Sequence, residues 1–426
     1  MREFSFLHCA DLHLDSPFKG ISHTSDYIQS VLQKSTYIAF QNLIQIAIDK
    51  EVDFVLIAGD VFNSKDRNIR AQLKFRQGLQ TLSDHGIKTF VAFGNHDPLN
   101  GWSAHISWPE SVIFFDGKNV RSHEFEKDGK AVACIHGISY PTAKVTTNLS
   151  KSFPINNHDQ EEDDSFNIGV LHGNVGSIAG HEEYAPCTKE DLLEKKYDYW
   201  ALGHIHKYSV LHDSHPTIIY SGNIQGRHCN EDGACGCTVV TVDDSGEVTH
   251  QFFETDYVRW FQREIDIEGM KNEQDLLTAI TDVIEETRRD ANGRGSICRI
   301  AFTGRGSLHE SLLKPGFIDD IIQEFREQEE HEPDFVWLEK IKNNTQSEID
   351  RDRLRQNEDF IGDLLRLFET YSQNQESYEE LEETIQPLFQ SGTRRKYVDD
   401  FNTEELQTIL KQAEQICLDQ LLGEEE

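Results

Sequence analysis

The sequence predicts an α/β protein, and three observations point to that fold class. Apolar, β-rich runs alternate with segments of helical period near the N-terminus, an order typical of a parallel sheet with right-handed crossovers. Most of these runs stop at a short polar block, and such blocks form at the carboxyl ends of parallel strands. A hydrophobic fraction of 37% in 426 residues provides enough apolar material for two or three packed domains.

The elements follow from the apolar spacing, read along the chain. Before residue 100, strands are predicted at 4–7, 53–58 and 87–93, and helices at 27–50 and 69–85. Further strands are predicted at 112–115, 121–126, 131–136, 166–171 and 198–202. The alternating runs near 217–221, 236–242 and 247–254 predict the antiparallel part of a second sheet.

A domain boundary is predicted near residues 257–268, so we expect domains at 1–257, 258–345 and 346–426. The middle one has the pattern of a small α+β module, with strands at 260–267, 296–303 and 334–341 and helices at 272–289 and 315–328. From about residue 350 the pattern is helical. Apolar stripes at helical spacing occur at 361–368 and 406–416, and packing of the two helices on each other explains them as well as docking on a partner.

Composition limits the classes of function. The formal net charge is −34, so nucleic acid should repel the chain at long range, which argues against simple DNA binding. No secretory signal and no membrane span is visible, and the expected location is a bacterial cytoplasm. The eight cysteines are expected to be free thiols, because the spacing of Cys229, Cys235 and Cys237 matches no usual zinc site.

Seven positions carry the chemistry, and they fall in five blocks that each follow an apolar run. They are Asp11, His13, Asp60, Asn95, His172, His204 and His206. Carboxylate, amide and imidazole groups suit manganese, iron or zinc, and magnesium remains open. A carboxylate has two oxygens to share, so Asp60 is the expected bridge between two metals. Singly each block is weak, since a turn also explains Gly-Asp or Gly-Asn after a strand, but the joint order is specific.

A metal pair about 3.5–4 Å apart would bind a phosphate ester and activate a bridging water for in-line attack on phosphorus. His96 follows Asn95 directly and is expected to donate a proton to the leaving oxygen or to stabilise the transition state. A turn histidine pairing with Asp97 is the structural alternative. Arg227 is expected either to contact substrate phosphate or to be a plain surface arginine.

Taken together, these blocks resemble the calcineurin-like metallophosphoesterases, and most closely the SbcD-type and YhaO-like bacterial DNA repair exonucleases. The sequence motifs on which the resemblance rests lie within roughly residues 1–255. They are "HCADLHLDSPF", "IAGDVFN", "FGNHD", "GISYP", "IGVLHGN", "YDYWALGHIHK" and "YSGNIQGRH". One departure is at Asn63, where some members carry a histidine that assists the catalytic one.

The resemblance implies a two-sheet sandwich flanked by helices with a dinuclear, usually manganese, site and a small capping domain. One metal would take Asp11, His13, Asp60 and His206, and the other Asp60, Asn95, His172 and His204, with His96 as the catalytic histidine. It also implies C-terminal helices that dock on an SbcC-like coiled-coil ATPase, and it leaves a homodimer open.

Three hypotheses remain. The first is a manganese-dependent DNA exonuclease acting in DNA repair. The second is a hydrolase of small phosphodiesters or nucleotides, which the acidic charge favours. The third is a regulatory or scaffold subunit of an ATPase complex, in which the metal site is structural.

Overall fold

The computed structural model describes residues 2–21, 24–63, 68–156, 165–176, 184–349, 351–373 and 403–422. The chain divides into two compact units. The first comprises Met1–Gly304 and Glu310–Thr345, and the second comprises Arg305–His309 and Gln346–Glu426.

The strands and helices are numbered here in chain order. The strands are β1 Phe4–Cys9, β2 Phe54–Ala58, β3 Lys88–Ala92, β4 Val112–Phe114, β5 Arg121–Lys127, β6 Lys130–Gly137, β7 Phe166–His172, β8 Tyr199–Gly203, β9 Ser209–Asp213, β10 Thr217–Tyr220, β11 Gly236–Val242, β12 Val248–Glu254, β13 Val258–Asp266, β14 Gly295–Thr303 and β15 Val336–Asn343. The helices are α1 Asp26–Asp49, α2 Ile69–Asp84, α3 Lys189–Leu193, α4 Glu273–Ala291, α5 His309–Leu312, α6 Phe317–Glu329, α7 Arg351–Arg355, α8 Phe360–Gln373 and α9 Thr403–Leu422.

Two six-stranded mixed sheets form the N-terminal part of the first unit. The first has the order β12-β11-β1-β2-β3-β4, in which β1 to β4 pair in parallel and β11 and β12 are antiparallel. The second has the order β5-β6-β7-β8-β10-β9, with parallel pairs from β6 to β10 and antiparallel strands at both edges.

The first sheet has a buried layer on each face because successive side chains of a strand point in opposite directions. In β2, Phe54 and Leu56 belong to a cluster shared with Phe166 and Tyr199 of the second sheet. Between them, Val55 of the same strand packs on a cluster that includes residues of α1 and α2. The fold is therefore helix layer, sheet, sheet, with the second sheet covered on its other face by a cluster that includes α3.

A third, all-parallel sheet has the order β13-β14-β15. Trp260 of β13 and Ile297 of β14 share a buried cluster with Ile28 and Leu32 of α1. The C-terminal helices α7, α8 and α9 belong to the second unit. In that unit α8 contacts both α7 and α9, and Leu365 and Leu410 are buried.

The predicted α/β class with two sheets and a C-terminal helical region is confirmed, and β1, β2 and β3 are parallel as expected. One expectation was wrong. Strands β11 and β12 were expected in the second sheet, but they extend the first sheet beside β1. Strand β11 pairs with β1 on one edge and β12 on the other, and the local alternation of apolar residues cannot specify which strand is the partner. The short elements β9 and α3 were not predicted.

Candidate metal centre

The seven predicted positions lie together at the carboxyl ends of strands from both large sheets. Asp11 and His13 follow β1, Asp60 follows β2, and Asn95 follows β3. His172 is the last residue of β7, and His204 and His206 follow β8. Parallel strands in one sheet end at the same edge, so this topology gathers residues from distant parts of the sequence.

The backbone is strained where it enters the site. Asp11, His13, Asp60 and His204 have φ values of 52°, 42°, 51° and 101°, in the left-handed region that residues with a side chain avoid. Backbone hydrogen bonds hold two of them in place. The amide of Asp11 donates to Gly59 O at 3.0 Å, and that of His13 donates to Asp60 O at 3.0 Å. The strain sets the direction in which the side chains leave the strands.

Two glycines make room for side chains of the candidate site, His172 and Asp60. A Cβ on Gly59, which also has a φ of +96°, would lie 2.2 Å from His172 Nδ1. A Cβ on Gly94 would lie 2.3 Å from Asp60 Oδ1. The glycine that precedes Asp60 and the one that precedes Asn95 are therefore required by close approach across the site.

The site consists of two groups of side chains. The outer group is Asp11, His13 and His206: the two Nε2 atoms are 3.3 Å apart, and each lies 3.9 Å from Asp11 Oδ1. The inner group is Asp60, Asn95 and His172: His172 Nε2 lies 3.5 Å from Asp60 Oδ2 and 2.9 Å from Asn95 Oδ1. Asp60 Oδ2 is also 3.8 Å from His13 Nε2, so this carboxylate lies between the groups.

The hydrogen bonds of His172 and His206 determine which ring nitrogen can accept a metal. The Nδ1 of His172 donates to the carbonyl of Ala58 at 2.9 Å, so its Nε2 carries a lone pair. The Nδ1 of His206 donates to Glu231 Oε1 at 2.5 Å, so Nε2 is the nitrogen that faces the rest of the site. The Nε2 of His172 faces the amide oxygen of Asn95 at 2.9 Å, so both atoms are placed to bind the same cation.

Burial and charge also prepare the outer group for a cation. Burial raises the pKa of Asp11, and its Oδ1 has no hydrogen-bond partner among the described residues. Burial, with the charge of Arg227, lowers the pKa of His13 well below its usual range, so that ring is neutral. Burial would lower the pKa of His206, but hydrogen bonding to Glu231 and the charge of Asp11 raise it. Ligand atoms of Asp11, His13 and His206, and those of Asp11, Asp60 and His172, lie within 4.8 Å of one another, so the residues fit a metal pair.

His96 lies half-buried at the rim of the site. Its backbone amide donates to Asp60 Oδ1 at 2.9 Å, and its ring centroid is 5.0 Å from that of His13, edge to face. The carboxylate of the next residue, Asp97, is directed at backbone amides. It accepts from the amides of Gly94 and Phe62 at 2.8 and 3.0 Å, and so ties the loops after β2 and β3 together.

His204 contributes backbone as well as ring. Its amide donates to Asp11 Oδ2 at 2.9 Å, and its ring centroid is 5.3 Å from that of His172. The structure therefore brings all seven predicted positions into one connected cluster, with His204 on the side of the inner group.

Sequence reasoning missed two residues beside the site and left a third undecided. Glu231 bonds His206, and Ser16 bonds Arg227, but an acid in a chain with 75 Asp and Glu residues, or one serine, gives no local signal. Arg227 is buried, with 7% of its surface exposed, and is not a plain surface arginine.

All eight cysteines are free thiols. No helix within the described part of the chain is both long and apolar enough to cross a membrane.

Comparison with known proteins identifies relatives of the whole chain. A family model described as "Calcineurin-like phosphoesterase" matches residues 4–208, and one described as "Metallophosphoesterase YhaO, middle domain" matches residues 260–346. The "Uncharacterized metallophosphoesterase YhaO" of Bacillus subtilis (strain 168) is 34% identical over 423 residues, which are 99% of this chain and 98% of that protein.

More distant relatives carry names connected with DNA or with nucleases. The "DNA double-strand break repair protein Mre11" of Methanosarcina acetivorans is 26% identical over 67% of this chain and 44% of that protein. A protein of Bacillus subtilis (strain 168) that is named as one of the subunits of the nuclease SbcCD is 24% identical over 58% of this chain and 68% of that protein.

Proposed function

Because this chain belongs to the calcineurin-like metallophosphoesterases, we propose that it is a metal-dependent phosphodiesterase that cleaves DNA as an exonuclease in DNA repair. The observation that carries the hydrolytic part is the convergence of side-chain nitrogen and oxygen atoms from Asp60, Asn95 and His172, with His172 Nε2 lying 3.5 Å from Asp60 Oδ2 and 2.9 Å from Asn95 Oδ1. The choice of DNA rests on the similarity to proteins named as Mre11 and as part of the SbcCD nuclease.

The proposed ligands are the seven positions, with Asp60 shared between two divalent ions, for which manganese is the first choice. A bound metal pair supplies an activated water and neutralises charge on the phosphate. The chain's own part is to hold this set rigid. Ala58 O fixes the His172 ring, Glu231 fixes the His206 ring, and Asp97 links the loops that carry Asp60 and Asn95.

His96 is the proposed catalytic histidine. The bond from its backbone amide to Asp60 fixes it at the rim, and its half-buried ring is open to a substrate. From that position the imidazole can give a proton to the leaving oxygen as the phosphodiester bond breaks. Its neighbour Asp97 is occupied by two backbone amides, which leaves the His96 ring available for this role.

The organisation of the chain supports a larger proposal. We propose a nuclease domain at 1–257, a capping domain at 258–345 and a helical region at 346–426 that docks on an SbcC-like ATPase. Exposed apolar side chains of α8 and α9 support the docking part; they include Phe360, Leu367 and Ile416. A partner ATPase would also supply the positive surface for DNA that a net charge of −34 does not.

A test is the release of nucleotides from duplex DNA by the full chain with Mn(II) at low salt. We expect His96→Ala to lower the rate by about 10²–10⁴-fold, the range for loss of a general acid, with metal content unchanged. His85→Ala is the matched control, because His85 is exposed and its ring bonds the carbonyl of Thr81, within its own helix turn. Its rate should equal that of the wild type.

The net charge favours a second candidate, a hydrolase of small phosphodiesters or nucleotides. Turnover of a cyclic nucleotide or nucleotide sugar, with no cleavage of DNA under any divalent metal, would replace the nuclease proposal by this one. Normal repair in cells that carry a combined Asp60→Asn and His96→Ala variant would instead favour a regulatory role in an ATPase complex.

A further inference from the structure

We infer that Arg227 is a further substrate-binding residue, whose guanidinium holds a phosphate oxygen of the ester beside the metal ligands. The inference rests on the proposed phosphodiesterase function and deepens it. It needs a phosphate anion in the site but does not depend on whether the substrate is DNA or a small molecule.

The backbone of Arg227 is fixed on both sides. Its amide donates to Glu231 Oε2 at 2.6 Å, and its carbonyl accepts from the amide of Lys19 at 2.9 Å. Glu231 also accepts from His206, so one carboxylate positions both the arginine and a proposed metal ligand. The backbone of the arginine is therefore held in a fixed position beside the proposed metal ligand His206.

The side chain is held by the loops that carry the metal ligands. Its NH1 donates to Ser16 Oγ at 2.9 Å, and the Ser16 amide donates in turn to the carbonyl of His13 at 3.0 Å. The same NH1 donates more weakly to Asn63 Oδ1 at 3.4 Å, on the loop of Asp60. The guanidinium thus lies among ligand-bearing segments.

The guanidinium still has donors to offer. Nε is buried and has no hydrogen-bond partner in the described part of the structure. NH2 lies 3.6 Å from Glu231 Oε1, which is too long for a hydrogen bond. A structural ion pair would direct these donors at the carboxylate, but Glu231 is occupied by His206 and by the Arg227 amide. A buried donor of a charged group left unpaired is costly, so this edge suits an acceptor that arrives with the substrate.

Phosphate fits that edge. The planar fork of an arginine matches two oxygens of a phosphate, and such charge-assisted bonds are stronger than neutral ones. A guanidinium fixed before the substrate arrives needs no reorganisation as negative charge develops on the phosphoryl oxygens. Asn63 has a place in this arrangement, since its Oδ1 contacts NH1 of the same guanidinium at 3.4 Å.

The experiment measures binding of inorganic phosphate to the manganese-loaded full chain by calorimetry, with manganese content determined in parallel. We expect Arg227→Gln to weaken phosphate binding at least about tenfold, which corresponds to about 1.4 kcal/mol, with manganese content unchanged. Arg227→Lys should weaken it by several-fold, because lysine keeps the charge but not the fork. Arg121→Gln is the control, since Arg121 is a surface residue paired with Asp116.

Phosphate affinity equal to the wild type in both Arg227 variants would overturn the inference, and a wild-type affinity in Arg227→Lys would do so if Arg227→Gln does not fold. Loss of DNA cleavage plays no part in this readout. If the Arg227 variants bind phosphate more weakly than the wild type but the wild type cleaves no DNA, only the choice of DNA as substrate is contradicted. A wild type that binds neither manganese nor phosphate would sink the proposed function itself.

Discussion

The outer and inner groups of the candidate metal centre are held by different means. In the inner group, His172 is fully buried, its ring is oriented by the backbone carbonyl of Ala58, and glycines give it space. In the outer group, His206 keeps 30% of its side chain exposed and is oriented by the carboxylate of Glu231. The backbone therefore orients the His172 ring of the inner group, whereas a charged side chain orients the His206 ring of the outer group.

This difference indicates which kind of substitution would disturb each group. A backbone partner cannot be removed by substituting a side chain, so the His172 ring should lose its orientation when the space around it is filled. A carboxylate partner can be removed by one substitution, and its charge is coupled to Arg227. That arrangement holds the pKa of Glu231 at about 2, because the bond from His206 and the charge of Arg227 outweigh burial, which alone would raise it. Interactions between charged side chains therefore position the outer group more than the inner one.

The largest expected effect comes from filling space in the inner group. Gly59→Ala places a methyl group 2.2 Å from His172 Nδ1 at a φ of +96°. We expect the free energy of unfolding of the metal-free chain to fall by about 4 kcal/mol, from overpacking and left-handed backbone together. Urea unfolding measures this. Gly86→Ala is the control, since Gly86 has a φ of +77° and nothing within 4 Å of the added Cβ.

The control should lose only about 1–2 kcal/mol, the cost of the left-handed backbone alone. Equal losses in the two variants would show that the His172 ring can move, and the rigidity ascribed to the inner group would then be wrong.

A smaller effect is expected when the charge behind the outer group is removed. Glu231→Gln keeps an oxygen that can accept from His206 Nδ1 but takes away the negative charge. Loss of such an outer partner typically costs about 10–100-fold in metal affinity. We expect that loss in one manganese site and none in the other, measured by calorimetric titration. Glu285→Gln, at an exposed carboxylate that pairs with Arg288 on α4, should bind manganese as the wild type does. Equal weakening of both sites would contradict the distinction between the groups.

The smallest effect should come from the hydroxyl of Tyr140. The Tyr140 ring packs edge to face on His172 at 5.5 Å, but its OH has no partner within the described residues. Tyr140→Phe should therefore change the free energy of unfolding by less than about 1 kcal/mol and leave metal affinity unchanged. Tyr220→Phe is the contrast, because that OH donates to Gly173 O at 2.7 Å and accepts from the Val175 amide. Its loss should cost about 1–3 kcal/mol. A tenfold change in metal affinity in Tyr140→Phe would mean that the hydroxyl belongs to the ligand set.

The comparison also explains what the sequence could predict. Asp60 and Asn95 stand out because each ends a buried apolar strand after a glycine, a local pattern with a physical cause. Glu231 does not stand out, because its role depends on a loop that returns to His206 from outside any strand. The position of β11 beside β1 was missed for a related reason, since alternation fixes which face is buried and not which strand is the neighbour.

The pairing of β1 with β11 affects the order in which the first sheet can form during translation. Strand β1 leads into the first two proposed ligands, yet its neighbour on one side begins only at Gly236. A chain made from its N-terminus therefore emerges with one edge of that strand unpaired, and β7 and β8 bring their histidines later still than β2 and β3. We therefore expect any hydrolytic activity to appear late in translation, after β11 has left the ribosome and paired with β1.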